Sequence, residues 1–149
     1  MVGWSKAIML AAIGAPLAAA QPAPSSPPGV QLVFFDWGKP EINGDAAAIL
    51  DGVAEGYRRE PGARLELAGH SDRSGPAGAN RVAGLRRAGA VRAYLAAHGV
   101  PTSAMHVASF GEERPLIPTE DGVREPQNRR VEIRVEPEAV ALPVSGNGL

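Results

Sequence analysis

The chain alternates between strand-like and helix-like segments, and this order restricts the folds open to it more than any other property. Segments rich in β-branched, aromatic or alternating apolar residues predict four strands, at 30–35, 64–68, 105–110 and 130–135. Ala-rich segments with apolar residues at helical spacing predict two helices, at 44–59 and 79–98. The order predicts an α+β fold: a two-layer βαβαβ-type sandwich, with the helices on one face of a small mixed sheet.

The first 20 residues have the composition of a secretory signal peptide. Lys6 is the only charge before Asp36, an apolar run spans residues 7–17, and three alanines follow at 18–20. We expect cleavage before Gln21, because the apolar run is shorter than the roughly 20 residues that cross a bilayer. The alternative is an uncleaved anchor, since the segment carries a single positive charge.

The rest of the chain divides into a linker, one domain and a tail. Residues 21–29 are rich in Pro and Ser and predict an extended linker. Residues 30–136 hold all the predicted strands and helices and are expected to form a single domain. Residues 137–149 are expected to be a disordered tail. No second apolar segment follows the first, so we expect no transmembrane segment in the mature chain.

Composition argues against several classes of function. The 15 Lys and Arg residues nearly balance the 16 Asp and Glu residues, which argues against a chain that binds polyanions as a whole. The chain has no cysteine, so it has no disulfide, no thiolate metal site and no cysteine for lipid attachment. Its three histidines, His70, His98 and His106, lack the spacing of metal ligands, and we predict neither a metal nor a cofactor.

The most distinctive local sequence is Gly69-His70-Ser71-Asp72-Arg73-Ser74-Gly75. It follows a predicted strand, and ligands of layered α/β folds tend to bind at the carboxyl ends of strands. Glycines at both ends allow a loop, predicted at 69–78, to turn sharply and to present backbone N–H groups and a carboxylate. The alternative is that Asp72 only tightens the turn, and spacing does not decide between the two.

Asn80 and Arg87 lie seven residues apart on the second predicted helix and therefore share a helix face. The helix is rich in Ala and Gly, so the long side chain of Arg87 is expected to reach outward past its neighbours. An Asp72 carboxylate and an Arg87 guanidinium suit a zwitterion, with its ammonium on Asp72 and its carboxylate in two hydrogen bonds to Arg87. Composition alone favours a simpler arrangement, either an Asp72–Arg87 ion pair without ligand or a solvated arginine.

The stretch from residue 73 to residue 92 has no acidic residue and contains five arginines: Arg73, Arg81, Arg86, Arg87 and Arg92. A solvated helix face explains this stretch most simply, and an anion-binding surface is the next interpretation. Nucleic acid is not an expected partner, since a secreted chain with few aromatic residues offers little for bases to stack on.

The sequence does not predict an enzyme. His70 lies two residues from Asp72, but the nearby hydroxyls of Ser71 and Ser74 lack the G-x-S-x-G setting of an activated serine. We therefore expect His70 to form hydrogen bonds within the loop.

Trp37 is expected to pack at a strand end.

Several short motifs occur in the order and spacing of one family and together cover roughly residues 30–136. The set resembles the OmpA C-terminal domain. The matching motifs are Phe35-Asp36, Gly69-His70-Ser71-Asp72-x-x-Gly75, Asn80, Arg87-Ala88-x-x-Val91, Tyr94-Leu95, Gly99-Val100-Pro101, Gly111-Glu112-x-x-Pro115 and Asn128-Arg129-Arg130-Val131-Glu132-Ile133.

The resemblance implies a function and a site. Domains of this family bind peptidoglycan without catalysis, through the diaminopimelate of the stem peptide. The family's key Asp and Arg fall on Asp72 and Arg87. The Asn that precedes its second helix falls on Asn80, and the first Arg of its Asn-Arg-Arg-Val-Glu motif falls on Arg129. The resemblance thus favours the zwitterion site, with these four residues binding the ligand.

The chain departs from the family pattern at two places. Ala83 and Gly84 stand where the family has Leu-Ser, and a glycine inside a helix costs about 1 kcal/mol of helix stability. Gly84 is one turn from Arg87 and is expected to loosen its position. Ser71 replaces the threonine of the loop motif and keeps the hydroxyl group.

The expected function is a non-catalytic peptidoglycan-binding module of the bacterial cell envelope. It is expected in the periplasm, on peptidoglycan, with the outer membrane as a further place of association and envelope proteins as further candidate partners. The alternative is an envelope scaffold or interaction protein that keeps the fold without binding peptidoglycan.

Overall fold

The computed structural model describes residues 29–138. The predicted signal peptide, most of the predicted linker and the tail from residue 139 lie outside the described residues. Six main elements follow one another: β1 Val30–Phe34, α1 Gly44–Arg59, β2 Arg64–His70, α2 Ala77–Ala97, β3 Met105–Gly111 and β4 Arg130–Glu136. Two short 3-10 helices precede β3 and β4, at Thr102–Ala104 and Pro126–Asn128.

The four strands form one mixed sheet in the order β1-β4-β2-β3. β4 runs antiparallel to both of its neighbours, with Val33 opposite Val131 on the β1 side and Leu67 opposite Ile133 on the β2 side. β2 and β3 run parallel and are joined through α2, as parallel neighbours require a long crossover connection. The predicted α+β class with a small mixed sheet is confirmed.

The core lies between the two helices and one face of the sheet. Leu65 and Leu67 of β2 alternate with half-buried Glu66 and Ala68, so one face of the strand is covered more fully than the other. The helices and the other strands complete the buried cluster, with Val33, Leu50, Val53, Ala54, Ala88, Val91, Leu95, Val131 and Ile133 among its members. The predicted helix stripe of Ala88, Val91 and Leu95 is confirmed.

α1 follows the local rules of a stable helix. The Asn43 side chain accepts a hydrogen bond from the N–H of Ala46 at 2.8 Å and so caps the first turn. Asp45 lies in that turn, and Arg58 and Arg59 lie in the last one, which suits the helix dipole at both ends.

The segment that joins β2 to α2 is shorter than predicted. β2 includes Gly69 and His70, and its parallel pairing continues to His70 opposite Gly111 after an irregularity. α2 begins at Ala77, two residues before the predicted start, so the loop is 71–76 rather than 69–78. The predicted loop glycine at position 69 is therefore a strand residue, and it has a packing role.

Gly69 and Gly84 bring α2 close to the sheet. A Cβ on Gly69 would clash with the carbonyl oxygen of Gly84, and a Cβ on Gly84 would clash with the hydroxyl of Ser109. The Ser109 hydroxyl also donates to the carbonyl of Arg81 at 2.7 Å, which ties β3 to the same helix. The expectation that Gly84 loosens Arg87 stays a prediction, and the structure gives this glycine a packing role, since it permits the close contact between α2 and β2.

Candidate functional site

Asp72 lies just beyond the carboxyl end of β2 and is only 2% exposed. Its Oδ1 accepts hydrogen bonds from the Ser74 backbone N–H at 3.2 Å and from the Ser74 hydroxyl at 2.5 Å. Its Oδ2 accepts from the N–H of Glu125 at 3.2 Å and from Nη1 of Arg129 at 3.0 Å. The carboxylate tightens its own turn, and it also joins two distant segments of the chain to that turn.

The partners of Asp72 keep it ionised. Burial alone would raise the pKa of its carboxyl, but hydrogen bonds from Ser74 and Arg129 outweigh burial and hold the pKa below its usual value. Arg129 is itself held at the end of β1, where its Nε donates to the carbonyl of Phe35 at 3.2 Å. Asp72 is therefore a fixed negative charge at neutral pH.

Arg87 is buried, contrary to the expectation that it reaches outward. Its side chain comes from the middle of α2, and the residue is 4% exposed. Nη1 donates to the carbonyl of His70 at 3.2 Å, and the guanidinium lies 5.9 Å from the centre of the Phe35 ring. Among the described residues Nε has no hydrogen-bond partner, and Arg87 forms no salt bridge. The simpler alternative, an Asp72–Arg87 ion pair, does not form, and Asp72 is paired with Arg129 instead.

The three charges nevertheless influence one another. Burial lowers the pKa of Arg87, the charge of Arg129 lowers it further, and the charge of Asp72 acts in the opposite direction. Arg87 nevertheless stays protonated, because an arginine guanidinium is not deprotonated in proteins. One buried carboxylate thus faces two buried guanidiniums, and this cluster carries an unbalanced positive charge.

A pocket opens beside Arg87 between the β1–α1 loop and α2. Its volume is about 210 Å³, and its lining residues are Gly38, Lys39, Pro40, Ala83, Arg86 and Arg87. Lys39 and Arg86 are exposed, so they add positive potential at the mouth while Arg87 supplies a desolvated charge inside. The pocket suits the anionic part of a small ligand.

Asn80 is buried near this cluster but has different contacts. Its Nδ2 donates to the carbonyl of Gly75 at 2.8 Å and to the Glu112 carboxylate at 3.0 Å. It therefore holds the end of the loop 71–76 against α2 and the start of the β3–β4 connection. Asp72 and Arg129 form an ion pair, and Arg87 lies close to both. The Asn80 side chain has no hydrogen bond to any of these three residues.

Two further predictions about polar residues have mixed outcomes. Most of the arginine-rich stretch lies at the surface: Arg81 and Arg86 are exposed, and Arg73 is paired with Asp121 at 2.6 Å. Arg87 is the exception, because it belongs to the buried charged cluster with Asp72 and Arg129. His70 does not bond within the loop: its ring is 2% exposed, and neither ring nitrogen has a hydrogen-bond partner among the described residues.

Trp37 is a residue whose importance the sequence interpretation missed. It was expected to pack at a strand end, but it is 49% exposed. Its indole N–H donates to the Ser74 hydroxyl at 3.2 Å, and the guanidinium of Arg124 lies 3.6 Å from its ring centre. Sequence spacing gave no signal for this contact, because the three residues lie on three different loops.

The residues from 29 to 138 contain no group of three or more His, Asp or Glu side chains arranged to hold a metal ion. In the same range, no helix is long and apolar enough to cross a membrane.

The fold and the sequence together define a known class of domain. The chain belongs to the OmpA family, whose sequence profile matches residues 34–129. An outer membrane protein of Gluconacetobacter diazotrophicus is 41% identical over 114 residues, which cover 72% of this chain and 30% of that protein. A peptidoglycan-associated lipoprotein of Rhizobium meliloti is 38% identical over 98 residues, which cover 66% of this chain and 56% of that protein. The match thus spans under two thirds of either relative.

Solved structures share the fold. The crystal structure of the peptidoglycan-associated lipoprotein from Burkholderia pseudomallei matches with a TM-score of 0.66 and 28% identity, over 70% of this chain and 89% of that one. The C-terminal domain of MotB from Helicobacter pylori matches with a TM-score of 0.64 and 22% identity, over 74% of this chain and 88% of that one. The second likeness concerns the fold alone.

Proposed function

We propose that this chain is a non-catalytic peptidoglycan-binding domain of the bacterial cell envelope, and that it holds the diaminopimelate of the stem peptide. Membership of the OmpA family and the similarity to peptidoglycan-associated lipoproteins support the polymer as the ligand. Diaminopimelate carries an ammonium and a carboxylate on one carbon at its side-chain end, which is the zwitterion for which the charged cluster is suited.

Arg87 is the observation that carries the proposal. A charged guanidinium on a residue that is only 4% exposed, with no salt bridge among the described residues, is costly to keep. A ligand carboxylate in the adjacent pocket would balance the charge of Arg87, and the planar guanidinium can hold it in two hydrogen bonds. The cost of burial is then offset only when the ligand is bound, which favours binding.

Asp72 and Arg129 have complementary roles in the proposed complex. The ligand ammonium binds Asp72, whose four hydrogen bonds from the protein occupy both oxygens. The Ser74 hydroxyl is the partner that can rotate away without moving the backbone, so we expect the ammonium to take its place. Arg129 keeps Asp72 in position and adds to the attraction for the carboxylate, while Asn80 holds the loop.

Binding of wild-type and variant chains to purified sacculi tests the proposal. Arg87→Ala should reduce cosedimentation at least tenfold, since a charge-assisted contact contributes about 1.5–3 kcal/mol. Arg87→Lys should also bind sacculi weakly, because an ammonium group cannot form the two hydrogen bonds of a planar guanidinium. Arg92→Ala is the control on the same helix: its Nη2 donates only to the carbonyl of Thr102, at 3.3 Å. Folded Arg87 variants that cosediment like wild type would overturn the proposal.

The chemistry of the ligand supplies a second test. Sacculi with lysine in place of diaminopimelate lack the side-chain carboxylate, and amidated diaminopimelate has it neutralised. Both should bind less wild-type protein, because the contact to Arg87 is lost. Equal binding of all three would mean that the domain recognises another part of the polymer.

The proposed place of action is the periplasm, reached after cleavage of the first 20 residues. The mass of the protein recovered from a periplasmic extract tests this directly, and a chain that begins at Gln21 is expected. Recovery of the full-length chain in the membrane fraction would instead indicate an uncleaved anchor.

A scaffold function remains the second candidate, and one observation favours it. The connection from β3 to β4 exposes three apolar side chains, Leu116, Ile117 and Val123, as a protein-binding surface would. Under that proposal sacculi would not retain the chain, and chemical crosslinking in the envelope would join it to another protein through this connection.

A further inference from the structure

Trp37 is exposed but firmly held. Half of its surface faces solvent, although its indole N–H donates to Ser74 and its ring lies under the guanidinium of Arg124. The hydrophobic core does not include it. A large aromatic side chain fixed at the surface in this way offers apolar area to a partner with little loss of side-chain entropy on binding.

The position of Trp37 connects it to the charged cluster. Its indole N–H bonds the Ser74 hydroxyl at 3.2 Å, and that hydroxyl bonds the Asp72 carboxylate at 2.5 Å. Arg124 precedes Glu125, whose N–H donates to the other oxygen of Asp72. Trp37 is thus connected to the Asp72 carboxylate through Ser74, and Arg124 adjoins a residue that bonds the same carboxylate. A ligand whose ammonium binds Asp72 would therefore extend close to Trp37 and Arg124.

We propose that Trp37 and Arg124 form a second subsite, which binds a pyranose ring of the glycan strand next to the stem-peptide site. This inference rests on the proposed function and extends it from the peptide to the sugar. It gives the domain a means to distinguish a stem peptide on its glycan from a free one.

The chemistry of the pair matches a sugar better than a peptide. A pyranose ring has a flat face of C–H groups, which can pack on the indole face opposite the Arg124 guanidinium. Arg124 contributes by holding the indole in a fixed orientation for that contact. Arg124 forms no salt bridge among the described residues, and Asp121, three positions before it in the sequence, is paired with Arg73 at 2.6 Å. A flexible stem of small residues has no comparable flat apolar face.

Titration of the full chain with two soluble ligands tests the subsite: a free stem peptide with diaminopimelate, and the same peptide on its disaccharide. Wild type should bind the disaccharide-peptide at least fivefold more tightly than the free peptide. Trp37→Ala should remove this difference and leave binding of the free peptide within twofold of wild type. Trp37→Phe keeps a flat ring and should retain most of the difference, and Arg124→Ala should lose part of it.

Phe34→Ala is the matched control, because Phe34 is a 40% exposed aromatic residue on β1. Equal affinity of wild type for the two ligands would overturn the subsite and leave the proposed function intact. An equal loss of both ligands in Trp37→Ala would also overturn it, since the indole would then contact the peptide. Failure of wild type to bind either ligand would overturn the proposed function and the subsite together.

Discussion

The helix α1 and the β2–α2 segment (residues 64–97) are built on different principles. α1 has a side-chain cap, an acidic first turn and a basic last turn, and its buried residues are all apolar. α2 has no side-chain cap and no charge that suits its dipole at either end, and it buries Asn80, Gly84 and Arg87. Local sequence therefore accounts for α1, whereas packing against the sheet must hold α2.

Under the proposed function, the difference separates a part of the domain that provides stability from a part that binds the ligand. Consistent local choices stabilise a helix, and proteins break those rules mainly where function requires it. The β2–α2 segment breaks several of them within 20 residues, around a cluster of three buried charges.

Removal of the Asp72 carboxylate should have the largest effect on stability. Asp72→Ala leaves the guanidiniums of Arg87 and Arg129 buried without their shared anion, which is expected to cost about 3–5 kcal/mol. Urea denaturation of wild type and variant measures it. Asp72→Ala combined with Arg129→Met should recover part of the lost stability, since one of the two unpaired buried charges is then absent. A loss below about 1 kcal/mol would show that the cluster is not a structural unit.

Two glycines of α2 should respond in opposite directions to alanine. Gly84→Ala forces α2 away from Gly69 and Ser109, and we expect a loss of about 2–3 kcal/mol with weaker sacculus binding. Gly89→Ala meets no atom within 4 Å and should add about 0.5–1 kcal/mol. Thermal and urea denaturation of both variants compare them. Equal changes in the two would show that close packing at Gly84 does not position the helix.

The order and type of the elements were predictable because they follow from patterning. The alternation of β2 and the apolar stripe of α2 are set by burial on one side, and burial is what the sequence pattern records. The end of β2 was not predictable. The sequence predicts Gly69 and His70 as loop residues, but parallel pairing with β3 extends the strand through both of them.

The structure brings three of the four predicted site residues together and gives Asn80 other partners, but the pairing within the cluster was not predictable. The motifs placed Asp72, Arg87 and Arg129 correctly near one another, but the partner of Asp72 depends on where β1 ends. Phe35 holds the Arg129 side chain against Asp72 through its carbonyl, and no local spacing encodes that contact. Trp37 and Ser74 were missed for the same reason.

The pH dependence of stability should reveal the buried ring of His70. Burial lowers its pKa from 6.5 to about 4, with Arg130 and Arg114 contributing and Glu132 opposing. The unfolded chain therefore binds the proton more strongly, so this stability is complete above pH 6.5 and is lost as pH falls towards 4. Urea denaturation should show a loss of about 2 kcal/mol between pH 7 and pH 5.

His70→Leu should flatten that part of the pH profile, because the variant has no proton to bind at this position. His106→Gln is the matched control, since His106 is exposed and its loss leaves the buried ring in place. A profile that is unchanged in His70→Leu would mean that other groups cause the loss.

The cap of α1 should give the smallest effect. Asn43→Ala removes the acceptor for the N–H of Ala46 and is expected to cost about 1 kcal/mol, without a change in sacculus binding. Asn43→Asp keeps the acceptor and should stay close to wild type. Thermal denaturation and cosedimentation of the two variants test whether stability and binding are separate, and weaker binding in a folded Asn43→Ala protein would contradict that separation.

The central claim is that the buried charge of Arg87 recognises the side-chain carboxylate of diaminopimelate. Its most direct test is a cycle of four affinities, measured by calorimetry with the full chain: wild type and Arg87→Ala, each with a stem peptide whose side-chain carboxylate is free or amidated. Amidation should weaken binding to wild type at least tenfold and should change binding to Arg87→Ala by less than twofold. An equal loss on amidation in both proteins would contradict the claim, because the carboxylate would then be recognised elsewhere.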